Sequence, residues 1–211
     1  RIIHVKSPAF LSSDPVILQT GMYKMKEEIT TDLSSYKNGH YNPGAGFLKR
    51  GVWYLVNVIF FRNPLIPFYG LKIRLLRLFG ANIGQGVIIK PSVNIKYPWN
   101  LTIGNYVWIG EKVWIDNLSK VSIENNVCIS QSAMLICGNH DYTKPSFNLI
   151  IGEIKLEEGC WIGAGAIIGP GVIVHSHAIL SLGSIATSDL DRYTIYRGNP
   201  AKIIKQRILM P

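Results

Sequence analysis

One histidine stands where an otherwise regular pattern breaks. Around it the chain reads Gly138-Asn139-His140-Asp141-Tyr142. Histidine is the side chain best placed to take a proton near neutral pH, and a positioned one contributes roughly 10²–10⁴-fold in rate. A hydroxyl or amine that must attack an electrophile needs such a base. Asp141 beside it either orients the ring or serves a turn. No Ser or Cys adjoins His140 as an obvious nucleophile, which favours direct attack over a covalent enzyme intermediate. Taken alone, a loop histidine reads more simply as a solvated side chain. Its meaning depends on the elements around it.

Other reactive residue types are few. Cys128, Cys137 and Cys160 lack metal-ligand spacing, and an odd number argues against a disulfide framework. Cys128 and Cys160 fall on repeat positions, as small buried hydrophobes of a reducing compartment do. His175 and His177 are two apart, with His140 far upstream. That spacing does not make a metal set, and no metal is expected.

The pattern that breaks at His140 has a period of six. From Leu156 every sixth residue is aliphatic: Leu156, Ile162, Ile168, Val174, Leu180. Four places after each comes Cys160, Ala166, Val172, Ala178 or Ser184. Neither a helix nor a strand repeats at six. A β-solenoid with three flat faces does: one aliphatic side chain per face points into a shared core, and a small residue sits near the corner. The same beat begins at Ile83 and runs through Ile89, Ile95 and Leu101. A two-residue slip resets it to Ile103, Ile109, Ile115 and Val121. A second resets it to Ile123, Ile129 and Leu135. Such slips predict looser corners. Residues 138–151 carry no beat, so the solenoid over 81–187 has one inserted loop. Function is expected there, because a loop is free to aim polar groups.

The flanks differ. Residues 1–46 are polar and read as an N-terminal arm. Met22 and Met25 could each be a natural start, in which case 1–21 is a leader. Phe47 to Phe61 predicts a hydrophobic helix, ended by Asn63-Pro64 and Pro67. Leu71 to Phe79 predicts a short basic amphipathic helix. Together, 47–80 are expected to cap the open end of the solenoid, or to rest on an anionic membrane surface, or both. Over 188–211 a turn at Gly198-Asn199-Pro200-Ala201-Lys202 precedes a predicted basic terminal helix, Ile203 to Leu209. The chain of 211 residues carries 22 basic against 13 acidic residues, a net +9. That balance admits anionic lipid or a phosphate-rich small molecule. No nucleic-acid-reading motif is present, and none of the apolar runs reaches the ~20 residues of a membrane span.

These residues carry a resemblance. Repeats of aliphatic-Gly-x-x-small type, the His140 loop and the closing Gly198-Asn199-Pro200-Ala201-Lys202 resemble the hexapeptide-repeat acyltransferases. More narrowly, Leu75 to Ala81, Tyr97-Pro98-Trp99, Ile129-Ser130-Gln131 and Gly138 to Tyr142 resemble the colanic-acid-biosynthesis type sugar O-acetyltransferases. The resemblance implies a left-handed parallel β-helix and a homotrimer with active sites between subunits. It implies acetyl transfer from acetyl-CoA to a saccharide hydroxyl in exopolysaccharide biosynthesis, on an acceptor that is free, nucleotide-linked or lipid-linked. His140 would be the general base. Trp161, Gly163 and Ala164 would line the thioester end of the donor. Leu182 and Thr187 would flank its pantetheine, with Ser188 where relatives usually carry Lys. Lys202 and Lys205 would meet its phosphates. Asn117 and Asp141 are the expected acceptor-side polar groups. The expected location is cytoplasmic, peripheral at the inner membrane. An amino-group acceptor and a non-catalytic trimeric solenoid are the alternatives, and a zinc trimer like the gamma-class carbonic anhydrases is disfavoured, since their ligand pair is five apart.

Overall fold

A computed structural model of the chain describes residues 28–39 and 41–210. The leader reading for 1–21 lies outside the described residues. The six-residue beat becomes three parallel sheets around one core. The first holds Asn82–Ile83, Leu101–Ile103, Val121–Ile123, Ile154–Leu156 and Ile173–Val174. The second starts with Ile88–Ile89, Trp108–Ile109, Cys128–Ile129, Trp161–Ile162 and Ile179–Leu180. The third holds Asn94–Ile95, Trp114–Asp116, Met134–Ile136, Ile167–Ile168 and Ile185–Ala186. Each aliphatic residue of the beat pairs with its equivalent one coil later: Ile89 with Ile109, Ile109 with Ile129, Ile129 with Ile162, Ile162 with Leu180. All of these side chains are buried, and each contributes roughly 1.5–3 kcal/mol by leaving water. Strands are short because only two or three residues fit along a face before the chain must turn.

The two slips have a common place. Both fall at the corner from the third sheet to the first, at 97–100 and at 117–120. The inserted segment leaves from the same corner one coil later. Asn117 explains the first of these enlarged corners. Its side-chain amide accepts from Tyr97 N–H at 2.9 Å and donates to Tyr97 C=O at 2.6 Å. Asn100 Nδ2 lies 3.3 Å from the carbonyls of Asn117 and Leu118. The Asn117 side chain has no exposed surface. It is a corner brace, and as placed it presents no surface to an acceptor.

Two helices close the N-terminal end. Helix α1 (Phe47–Val56) runs on into one π-helical turn, Asn57–Phe61, and α2 spans Tyr69–Leu78. Trp53 and Phe61 are buried against the first coil, with Trp53 Nε1 donating to Ile95 C=O at 2.9 Å. Leu76 is buried on α2, and the wholly buried Lys72 donates to Lys90 C=O at 3.0 Å.

The C-terminal segment corrects the sequence reading. The expected helix over Ile203–Leu209 is instead a strand, Ala201–Gln206, antiparallel to Thr194–Gly198 at the end of the second sheet. Ile-Ile-Lys-Gln-Arg-Ile-Leu fits both periods over so short a run. The exposed edge left by Thr194–Gly198 decides it, because an unpaired edge is satisfied by a returning strand.

Candidate active site

The inserted segment is a β-hairpin. Gly138–His140 pairs antiparallel with Leu149–Ile151, which sets His140 opposite Leu149. Its base is tied to the solenoid, since Gly152 N–H donates to Cys137 C=O at 2.9 Å. The connecting turn is built by Asp141. Its carboxylate accepts from Thr143 Oγ1 at 2.6 Å and pairs with Lys144 at 3.0 Å. The hydrogen bonds from Thr143 and Lys144 lower its pKa. Asp141 therefore holds the turn, not the imidazole.

Phe147 orients the imidazole. Its carbonyl oxygen lies 2.9 Å from His140 Nδ1. Its ring stacks on the imidazole at 4.5 Å, with planes 8° apart. Both contacts come from one residue because Phe147 has φ of +48°, a left-handed conformation rare for a bulky side chain. A carbonyl can only accept, so Nδ1 carries the proton in the neutral ring and donates it. Nε2 is left with its lone pair free. That tautomer is the one a general base needs.

A second aromatic stands beside the imidazole. Tyr36 lies 5.9 Å from the His140 ring. The segment that carries it is tied to the turn by Asp32 N–H to Pro145 C=O at 2.8 Å and Lys37 N–H to Asn148 Oδ1 at 3.0 Å. Sequence reasoning missed Tyr36, Phe147 and Asn148. The only signal was their aromatic or amide type in unpatterned stretches, which does not reveal a contact.

The residues expected on the donor side separate into two groups. Gly163, Ala164 and Leu182 stack at the corner from the second sheet to the third. A Cβ on Gly163 would stand 2.4 Å from Leu182 N, and Gly183 N–H donates to Ala164 C=O at 2.8 Å. Leu182 projects from this corner and is 77% exposed. Thr187 and Ser188 are exposed just beyond the last strand of the third sheet. Trp161 is half-exposed on the second sheet, its Nε1 donating to Ser130 Oγ at 2.9 Å. The second group lies on the C-terminal hairpin. Lys202 pairs with Arg197 and Lys205 with Ile195, on either side of a bulge. The bulge restores the alternation that an odd spacing would break. Lys202, Lys205 and Arg197 thus share the outward side, while Tyr196 faces in.

The remaining reactive groups are occupied. Burial pushes the Cys160 thiol up to about 12 and the Cys137 thiol up to about 11; neither is a thiolate nucleophile at neutral pH. His175 Nδ1 lies 3.2 Å from Glu157, and His177 stacks on Tyr193 at 4.7 Å. Burial alone would raise Glu157, but its bonds to Lys155, His175 and Ser176 N–H outweigh that and hold it at about 2. Among the described residues, no three His, Cys, Asp or Glu side chains gather as a metal set.

No protein-family model matches the sequence. Individual relatives do. The chain is 34% identical over 177 residues to the Escherichia coli (strain K12) protein that carries the name colanic acid biosynthesis acetyltransferase WcaF, covering 84% of this chain and 97% of that one. A hexapeptide-repeat acetyltransferase of Vibrio cholerae O1 biovar eltor, solved in complex with acetyl coenzyme A, superposes with a TM-score of 0.70 at 18% identity, over 82% of this chain and 96% of that one. A galactoside acetyltransferase solved in complex with coenzyme A superposes at 0.67 with 22% identity, over 75% and 80% of the two chains. These neighbours share the left-handed parallel β-helix. With a shared solenoid and 34% identity along nearly the whole of WcaF, the chain belongs to the hexapeptide-repeat acetyltransferases.

Proposed function

We propose that this acetyltransferase moves the acetyl group of acetyl-CoA to a hydroxyl of a saccharide in cell-surface polysaccharide synthesis, with His140 as general base. The single observation that carries this reading is the Phe147 carbonyl at 2.9 Å from His140 Nδ1. It leaves Nε2 as the acceptor of a proton. The acceptor hydroxyl gives that proton to Nε2 as its oxygen attacks the thioester carbonyl carbon. The C–S bond then breaks, the sulfur takes the proton back from the imidazolium, and the acetyl ester and free coenzyme A leave. Transfer is direct, since both well-buried thiols are held protonated. Similar proteins in complex with acetyl coenzyme A or coenzyme A support the donor, and relatives named for galactoside and colanic acid support a saccharide acceptor.

The donor would lie along the corner of Gly163, Ala164 and Leu182, past Trp161, Thr187 and Ser188. Its phosphates would meet the outward lysines Lys202 and Lys205. Asp141 acts only by shaping the turn. Three copies would pack so that each His140 faces a neighbour across a cleft, as the family resemblance implies.

The test is free-thiol release from acetyl-CoA with a panel of hydroxyl and amino sugars, for wild type and His140→Ala. Acceptor-dependent turnover on hydroxyl sugars should fall by at least two orders of magnitude in the variant, with coenzyme A binding retained. Turnover that survives the substitution would remove His140 as the base. Turnover confined to amino sugars would make the enzyme an N-acetyltransferase.

A further inference from the structure

A cleft of about 500 Å³ lies between α1 and the outward side of the third sheet. Three cations reach it, Arg50, Arg62 and Lys96, against one carboxylate, Asp116. Lys96 Nζ lies 2.9 Å from Asp116 Oδ1, an ion pair without hydrogen-bond geometry. Among the described residues, neither guanidinium has an ion-pair partner. Arg50 Nε is buried and has no hydrogen-bond partner among the described residues. Buried donors are seldom left unpaired, and those that are point to a missing acceptor.

The surroundings have a single sign. From Leu33 to Gly110 the chain holds nine basic residues and no acidic one, which accounts for the whole net charge of +9. A cleft walled by protein within such a region concentrates the field on an anion. Its place in the fold is equally specific. Asp116 pairs with Ile136 across the third sheet, and its carbonyl accepts from Cys137 N–H at 3.2 Å. The strand bearing His140 starts at the next residue. The cleft therefore adjoins the root of the His140 hairpin.

We propose that this cleft holds a phosphate or diphosphate group borne by the saccharide acceptor. The inference rests on the function proposed above and adds the acceptor's class: a phosphorylated sugar, not a free one. Arg50 and Arg62 supply two planar forks, which suit phosphate oxygens better than point charges do. Tyr54 and Trp114, both partly exposed beside them, offer flat apolar faces for the attached sugar or its carrier.

Calorimetry without any donor tests the site separately from acetyl transfer. The probes are glucose, glucose 1-phosphate, glucuronate, uridine diphosphate and decyl diphosphate at fixed ionic strength. The phosphorylated probes should bind at least tenfold tighter than glucose or glucuronate. Whether the nucleotide or the alkyl diphosphate binds best tells the nucleotide-linked from the lipid-linked source, and either supports the site. Arg62→Gln, checked for an unchanged melting temperature, should lose about tenfold toward the phosphorylated probes. Arg74→Gln, on the exposed side of α2 and outside the cleft, should lose none. Equal binding of glucose and its phosphate, equal losses in both variants, or displacement of the probes by coenzyme A would each overturn the proposal. These outcomes do not depend on turnover, so His140→Ala can still succeed or fail by itself.

Discussion

A neutral imidazole accepts a proton only through the nitrogen that bears none. Which nitrogen that is depends here on one backbone carbonyl, at Phe147, and on the stacked ring of the same residue. Replacing the side chain leaves the carbonyl in the sequence but removes the stack. Such aromatic contacts are worth about 0.5–1.5 kcal/mol. Phe147→Ala should therefore lower kcat up to about tenfold while the affinity for coenzyme A stays unchanged; a change confined to coenzyme A affinity would refute the orienting role. His140 was legible in the sequence as a candidate base, because it stands in the only long interruption of the beat. Its orienting partner was not. The left-handed backbone at Phe147 has no signature in a phenylalanine. Asn117 shows the converse. An asparagine at a corner reads the same whether it faces solvent or braces the turn, and only the two bonds to Tyr97 decide it.

Elements were easier to read than residues. One inward aliphatic residue per face leaves a strict trace, and the two slips marked real enlargements of one corner. The C-terminal strand was missed because seven residues satisfy either period and the deciding partner, Thr194–Gly198, is itself irregular in sequence. Coil stacking also makes a contrast between two glycines. At Gly163 an added methyl would meet backbone atoms of the next coil at 2.4 to 2.8 Å, whereas at Gly51 in α1 it would meet nothing within 4 Å. Gly163→Ala should cost about 1–3 kcal/mol, seen as a melting temperature lower by several degrees. Gly51→Ala should instead add about 1 kcal/mol, the difference in helix propensity. Equal melting temperatures for the two variants would refute the close approach of the coils.

At the scale of the whole molecule, charge and apolar surface share one end. The helical cap exposes Phe47, Leu48, Tyr54, Leu55, Leu65 and Phe68 within the stretch that carries all the net charge. Among the described residues no helix is long and apolar enough to cross a membrane. A surface contact remains physically sound, since basic residues gain about 1 kcal/mol each near anionic lipid and lose it with salt. Vesicles containing anionic lipid should sediment the protein at low salt and release it as salt rises; equal recovery with neutral vesicles would count against docking. The His140 hairpin has a different relation to the whole. Its two ends are joined by the Gly152 to Cys137 bond, and the ladder of the first sheet passes from Val121–Ile123 to Ile154–Leu156 in register, as though nothing had been inserted. Chain length between those ends is therefore nearly free: doubling a closed loop costs only about 0.6 kcal/mol. The segment bearing His140 can be lengthened, shortened or exchanged while the solenoid persists, so that descent with altered loops could retarget the acceptor without refounding the fold.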